Sequence, residues 1–203
     1  MGRDAIDSGD FSESSESSDF RDSGDVTDTT HDARRSVTLE LVTADDTRRF
    51  GAALARLLTA GDLVLLVGDL GAGKTTLTQG LGDGLDVRGP VASPTFVISR
   101  VHPPLGDGPA LVHVDAYRLG DHTELDDLDL DADMDRSVTV VEWGAGIAEG
   151  LAEDYLVVEL EREVGAPTAA TGDRAEDDTD PRRVHVHAVG RRWAGVDLSA
   201  LAA

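Results

Sequence analysis

The sequence predicts an α/β fold in which a parallel central sheet is covered by helices. Residues 63–67 form a continuous apolar run, which is typical of a strand buried on both faces. A glycine-rich loop follows at 68–75, and a helix-compatible stretch follows that loop. Further apolar segments alternate with helical ones along the chain, and such alternation is typical of helices packed on a sheet.

The first elements lie before the glycine-rich loop. Residues 37–41 alternate apolar and polar side chains and predict a short, half-buried strand. The sequence Thr43-Ala-Asp-Asp46 resembles a capping box, so a helix is predicted to begin there. This helix has one apolar face, and Gly61 is predicted to end it.

The later elements are predicted from similar patterns. A helix is predicted from about Lys74 to Leu81, and a short acidic helix at 124–134. Strands are predicted at 95–101, 111–114, 138–141, 155–160 and 183–189. Residues 165–181 are rich in Gly, Pro, Thr, Ala and Asp and predict a surface loop. The domain is therefore expected to span 36–190, with 191–203 as a C-terminal extension.

Composition limits the classes of function. Residues 1–35 carry an acidic residue at every third position from Asp4 to Asp28, and they predict a disordered acidic tail. The 18 basic and 40 acidic residues give a net charge of −22, which disfavours autonomous binding to nucleic acid. The chain has no cysteine, so disulfides and thiolate sites are excluded. No segment is apolar enough to span a membrane and the first residues are unlike a signal peptide, so a cytoplasmic protein is expected.

The glycine-rich loop carries the most specific chemical signal. Gly68-Asp-Leu-Gly-Ala-Gly-Lys-Thr75 fits G-x-x-x-x-G-K-[ST] at every fixed position. Such a loop binds phosphate through its backbone N–H groups and the N-terminus of the following helix. Lys74, the only lysine of the chain, is expected to reach the β- and γ-phosphates, and the Thr75 hydroxyl to bind Mg²⁺. The residues predicted to bind the nucleotide here are Gly71, Ala72, Gly73, Lys74, Thr75 and Thr76.

Two carboxylates are candidates for a second acidic group beside the metal. Asp115 and Glu142 each follow an apolar strand, and ligands bind at the carboxyl ends of strands in such sheets. Either could instead be an ordinary strand-end carboxylate that caps the next turn. Ser93-Pro-Thr95 could bring a hydroxyl toward the γ-phosphate or could be a plain turn into a strand. Trp143 is by default a packing residue and His113 a structural one, and no zinc site is predicted.

Taken together, these pieces resemble the TsaE family, formerly YjeE, the small ATPase of bacterial tRNA threonylcarbamoyladenosine biosynthesis. The matching segments are Gly68–Thr76, Ser93-Pro-Thr-Phe96, Asp115-Ala-Tyr-Arg-Leu119, Glu124-Leu125 and Glu142-Trp-Gly144. The resemblance runs from about Val37 to Val189. It implies a P-loop NTPase-like three-layer sandwich with antiparallel strands at the sheet margins.

The resemblance also implies ligands, partners and roles. ATP and Mg²⁺ are the expected cofactors, and TsaD and TsaB the expected partners, with tRNA reached only through them. Hydrolysis would reset the partner complex between turnovers. By the family pattern, Thr75 and Glu142 match the metal ligands, Asp115 the functionally important aspartate, Thr95 the switch-like threonine and Trp143 the motif tryptophan. Thr43 and Ala44 match the start of the first helix, which contacts adenine in relatives.

Two other functions remain open at this point. A small-molecule kinase could use the same loop, but it would need arginines on a lid, and the segment between Ser93 and Leu111 carries only Arg100. A nucleotide-dependent assembly module with negligible turnover is the second alternative. Asp115 and Glu142 favour chemistry over pure binding without excluding it.

Overall fold

The computed structural model describes residues 35–94, 98–119, 122–126, 128, 130–162 and 180–202. The acidic segment 1–34, Thr95 and nearly all of the predicted surface loop lie outside these residues. Within them, no helix is long and apolar enough to cross a membrane. The elements are β1 Ser36–Leu41, α1 Ala44–Ala55, β2 Leu63–Val67, α2 Lys74–Gly84, β3 Ser99–His102, β4 Ala110–Asp115, α3 His122–Asp126, α4 Asp131–Met134, β5 Ser137–Glu142, β6 Tyr155–Arg162 and β7 Arg182–Val189.

The strands form one mixed sheet in the order β1-β7-β6-β2-β5-β4-β3. The four strands β6, β2, β5 and β4 run parallel at its centre. Strands β1 and β7 at one margin and β3 at the other pair antiparallel with their neighbours. The predicted α/β fold with a parallel centre and antiparallel margins is therefore confirmed. The parallel order also brings the carboxyl ends of β2, β4 and β5 to one edge of the sheet, where crossover loops can carry a site.

Burial on both faces of β2 makes the fold three layers deep. Val64 and Leu66 belong to an apolar cluster that includes residues of α1 and α2. Leu63 and Leu65 point to the other face and belong to a second cluster with residues of α3, α4 and β4. Alternate residues of a strand face opposite sides, so a wholly apolar strand fits only between two such layers.

Glycines let α1 and α2 pack closely against each other. A Cβ atom at Gly51 would lie 2.4 Å from the Leu77 carbonyl oxygen, and one at Gly80 would lie 2.1 Å from the Arg48 carbonyl oxygen. Both distances are far below van der Waals contact. Helix α2, which begins at the glycine-rich loop, is therefore held directly against the backbone of α1.

Helix α1 ends earlier than the sequence predicts. The prediction placed its end at Gly61, but the helix ends at Ala55 and continues as tight turns, in which the Leu57 N–H donates to the Leu54 carbonyl at 2.9 Å. The Leu57 carbonyl instead accepts a hydrogen bond from the Arg192 guanidinium at 3.0 Å. A last turn of 3₁₀ type tightens the chain there, and the carbonyl is satisfied by a distant side chain.

Two other helix predictions also differ from the structure. Helix α2 extends past Leu81 to Gly84. Gly84 packs closely on α1, since a Cβ there would lie only 2.6 Å from the Ala55 Cβ. This packing outweighs the low helix propensity of glycine. The acidic helix predicted at 124–134 is two short helices, α3 and α4. Leu125 and Leu130 are both buried in one cluster. Five residues apart on one continuous helix they would point about 140° apart, so the break lets both face inward.

The described part of the predicted C-terminal extension packs into the domain. Trp193 and Leu198 are buried in the same cluster as α1 and α2. Arg192 forms an ion pair with the nearly buried Asp62, with 3.0 Å between guanidinium nitrogen and carboxylate oxygen. These contacts tie the end of the chain to the segment that precedes β2.

Candidate functional site

The loop between β2 and α2 contains glycines whose positive φ angles another residue could adopt only with strain. Gly68 has a φ of 142°, and a Cβ there would lie 2.4 Å from the Leu160 carbonyl oxygen. Gly73 has a φ of 107° and is the N-cap of α2, where it provides no side-chain hydrogen bond. The first N–H groups of α2 therefore have no side-chain acceptor at the cap, which leaves them available to an anion.

Lys74 is folded back onto its own loop. Its side-chain nitrogen donates to the Gly68 carbonyl at 2.6 Å and to the Asp69 carbonyl at 2.9 Å. Burial lowers the pKa of Lys74, and the nearby carboxylates of Glu142, Asp115 and Asp69 oppose this shift. The amine is thus already desolvated and can exchange neutral carbonyl acceptors for a stronger anionic one.

Thr75 and Glu142 meet although they are far apart in sequence. The Thr75 hydroxyl lies 3.1 and 3.4 Å from the two carboxylate oxygens of Glu142. Only 3% of Glu142 is exposed. His113 Nε2 lies 2.8 Å from Glu142 Oε1 and is itself fully buried. The hydroxyl and the carboxylate form the kind of oxygen donor pair that could hold Mg²⁺.

Asp115 ends β4 directly beside Glu142. The two residues pair across the parallel strands β4 and β5, so both carboxylates reach the same edge of the sheet. Asp115 Oδ1 accepts a hydrogen bond from the Tyr117 N–H at 3.1 Å, and Oδ2 lies 3.5 Å from the Ser93 hydroxyl. The backbone contact caps the turn at 116–118, as the capping alternative predicts. Asp115 also lines the cavity described below.

The Trp143 ring packs against the amine of Lys74. Its ring centroid lies 3.8 Å from the Lys74 side-chain nitrogen, and the exposed Tyr117 ring packs edge-on against it at 5.1 Å. The backbone of Trp143 has a φ of 64°, which is unusual for a bulky residue. Gly144 fits tightly behind it, because a Cβ there would lie 2.6 Å from Val141 Cγ1. The sequence-based default of a packing residue understates this contact with the lysine.

These side chains surround one cavity of about 380 Å³. Most of the predicted site residues line it, namely Gly71, Gly73, Lys74, Thr75, Thr76, Asp115, Glu142 and Trp143, and the rest of the lining is Leu70, Ser93 and Tyr117. Ala72 is buried behind the loop instead. Thr95 lies outside the described residues, so its predicted role stays a prediction. In the described part of the chain, no group of three or more His, Asp or Glu side chains could hold a metal ion.

The predicted adenine contacts separate in the structure. Ala44 lines a small cavity of about 110 Å³ that adjoins the larger one, because both share Gly73 and Thr76. Thr43 does not line it. Its hydroxyl donates to Asp46 Oδ2 at 2.7 Å and accepts from the Asp46 N–H at 3.1 Å. The geometry therefore makes Thr43 the N-cap of α1 and places Ala44 at the cavity.

Arg182 supports the loop from behind and was not found by sequence reasoning. Its Nε donates to the Ala72 carbonyl at 2.8 Å, and its terminal nitrogens bond Asp180. The side chain is nearly buried at the start of β7. No local pattern could have indicated this contact, because the two partners lie 110 positions apart. His113 was assigned a structural role, although its place two residues before Asp115 on one strand puts both on the same face.

Comparisons with known proteins agree with this arrangement. The family model described as threonylcarbamoyl adenosine biosynthesis protein TsaE matches residues 41–169. A Streptomyces coelicolor protein named tRNA threonylcarbamoyladenosine biosynthesis protein TsaE is 58% identical over 156 residues, which are 76% of this chain and 99% of the relative. A Bacillus subtilis protein with the same name is 36% identical over 154 residues, 75% of this chain and 85% of the relative.

A solved structure supports the same assignment. The crystal structure of Bacillus subtilis YdiB superposes with a TM-score of 0.56 at 30% sequence identity, covering 78% of this chain and 88% of that one. It supports a P-loop NTPase-like fold for the sheet and helices described above. The chain therefore belongs to the TsaE family, the proteins of tRNA threonylcarbamoyladenosine biosynthesis.

Proposed function

We propose that this protein binds ATP with Mg²⁺ and hydrolyses it to reset or regulate a TsaD–TsaB complex in tRNA threonylcarbamoyladenosine biosynthesis. One observation carries the proposal. Lys74, Thr75, Asp115 and Glu142 line a single cavity at the uncapped N-terminus of α2. A cation, a hydroxyl and two carboxylates in that order suit a nucleoside triphosphate with its metal.

Each residue has a distinct task in this proposal. The first N–H groups of α2 hold phosphate oxygens, and Lys74 exchanges the Gly68 and Asp69 carbonyls for a phosphate. Thr75 and Glu142 hold Mg²⁺, which neutralises charge on the phosphate oxygens. Asp115 lines the cavity, where its carboxylate can orient a water molecule.

Charge supports an indirect relation to tRNA. A chain with a net charge of −22 repels a phosphate backbone, so the protein acts on proteins that hold the tRNA. Relatives named for tRNA threonylcarbamoyladenosine biosynthesis support the link to tRNA. TsaD and TsaB are the partners that the family resemblance implies, and the test therefore includes both.

The test is phosphate release from Mg-ATP by the purified chain, alone and with TsaD and TsaB. Lys74→Ala should remove the release, because it deletes the side chain expected to bind phosphate. Arg88→Ala is a matched control, since Arg88 is an exposed cation just beyond α2. Strong stimulation by the partners that depends on Lys74 supports the proposal.

Other outcomes would contradict parts of it. Tight ATP binding without phosphate release, even with both partners present, would contradict hydrolysis and indicate a nucleotide-dependent assembly module. Transfer of phosphate to a small molecule instead of water would indicate a kinase. Equal activity in the Lys74→Ala variant would show that this loop is not the site of the reaction.

A further inference from the structure

We infer that His113 is a positioning residue that holds the Glu142 carboxylate in the orientation that binds Mg²⁺. This inference rests on the proposed function, because it deepens the role given to Glu142 there. It concerns a histidine for which the sequence predicts only a structural role. The side chain lies within the sheet, two residues before Asp115 on β4.

The contacts fix one oxygen of Glu142. Among the described residues, the hydrogen bonds to this carboxylate come from Thr75 and His113. The His113 contact is the shorter, at 2.8 Å, and the imidazole is fully buried on β4. The Thr75 hydroxyl is expected to turn its oxygen toward the metal. His113 is then the group that still restrains the carboxylate.

The two ring nitrogens of His113 differ in their surroundings. Nε2 faces Glu142 and lies 2.8 Å from its Oε1. The other ring nitrogen, Nδ1, is buried without a partner among the described residues. Within those residues, the contact with Glu142 is therefore the hydrogen bond that the imidazole makes.

Packing alone does not account for this residue. The neighbouring positions of β4 are apolar, and His113 is as buried as Leu111 and Val114. A leucine would fill a similar volume without burying an unpaired nitrogen. What the imidazole adds is the contact with Glu142. Groups that orient metal ligands in this way typically change metal affinity when removed.

The experiment measures the affinity for a non-hydrolysable ATP analogue in Mg²⁺ and in EDTA. The ratio of the two dissociation constants is the gain due to the metal. His113→Leu should reduce this gain by roughly 10-fold and leave the affinity in EDTA unchanged. His113→Gln should restore most of it, because its amide nitrogen can donate from a similar position.

His102 provides a matched control. It lies on β3, and its Nε2 is also buried without a partner in the described residues. His102→Leu should keep the full gain, because the hydrogen bonds to Glu142 in the described part of the chain come from Thr75 and His113 and not from His102. If His113→Leu does not fold, as judged by thermal unfolding, His113→Asn takes its place, since its shorter amide cannot reach Glu142.

The metal role of Glu142 and the positioning role of His113 can fail separately. If the wild type shows no gain from Mg²⁺, or Glu142→Gln keeps it, the proposed metal role of Glu142 fails. If Glu142→Gln loses the gain but His113→Leu and His113→Asn keep it, the positioning role is overturned. Equal loss in the His102 and His113 variants, or equal loss of affinity in EDTA, would also overturn it, because a general effect on the fold would explain both.

Discussion

Replacing Gly80 with alanine should destabilise the protein although alanine is the better helix former. A Cβ at position 80 would lie 2.1 Å from the Arg48 carbonyl oxygen, and nonbonded atoms rest roughly 3.5 Å apart. The obstacle is a backbone atom, which cannot rotate away as a side chain can, so α1 and α2 must separate by about 1.4 Å. Overpacking of this kind costs about 1–3 kcal/mol, and we take the upper end because no side chain can yield. Alanine returns about 1 kcal/mol of helix propensity, which leaves a net loss of about 2 kcal/mol.

The free energy of unfolding can be measured by urea denaturation of the wild type and of Gly80→Ala. Gly150→Ala is the control, because a Cβ there would have no heavy atom within 4 Å apart from Gly150 itself and its two chain neighbours, and its φ lies outside the left-handed region. The control should change stability by less than about 0.5 kcal/mol. If Gly80→Ala is as stable as the wild type, or gains the ~1 kcal/mol of propensity, the close approach of the two helices is wrong.

Three further predictions concern the cap, the loop and the chemistry. The pKa of Asp46 is lowered by hydrogen bonds from the capping hydroxyl and Arg49. Its contribution to stability is therefore present above pH 3.8 and is lost as the pH falls through the lower folded-state pKa. Asp46→Asn should lower the urea midpoint at neutral pH, and this difference from the wild type should shrink as the pH is lowered below 3.8; a difference that stays constant would contradict the prediction. Arg182→Lys should weaken ATP binding by about 1–2 kcal/mol in calorimetry, because a lysine cannot bond the Ala72 carbonyl and Asp180 at the same time. The control Arg183→Lys, at an exposed position, should bind ATP as the wild type does, and equal affinities of the two variants would contradict the prediction. Asp115→Ala should mainly lower turnover and leave ATP affinity near wild type, and a loss of affinity as large as in Lys74→Ala would refute that division.

The central strands and the phosphate-binding loop could be predicted because their signals are local. An apolar run with glycines after it determines a buried strand and a turn within a few residues. The end of α1 could not be predicted, because the Leu57 carbonyl is satisfied by Arg192, far along the chain. The extension of α2 to Gly84 likewise depends on a contact with another helix.

The candidate site was predicted in its parts more fully than in its arrangement. Asp115 and Glu142 were recognised as strand-end carboxylates, but their pairing in register follows only from the strand order. The contact of His113 with Glu142 requires the same knowledge. The approach of Trp143 to Lys74 depends on a positive φ, for which a tryptophan gives no sequence signal.

The placement of the two tryptophans should make intrinsic fluorescence a signal of ligand binding. The ring centroid of Trp143 lies 3.8 Å from the amine of Lys74. Trp193, the second tryptophan of the chain, is buried in the apolar cluster that includes residues of α1 and α2. Movement of Lys74 toward a ligand would change the surroundings of the Trp143 indole and leave Trp193 as a constant background. Intrinsic fluorescence emission should therefore change as ligand occupies the loop, without any added label. In a Trp143→Phe variant the emission of Trp193 should not change when ligand binds.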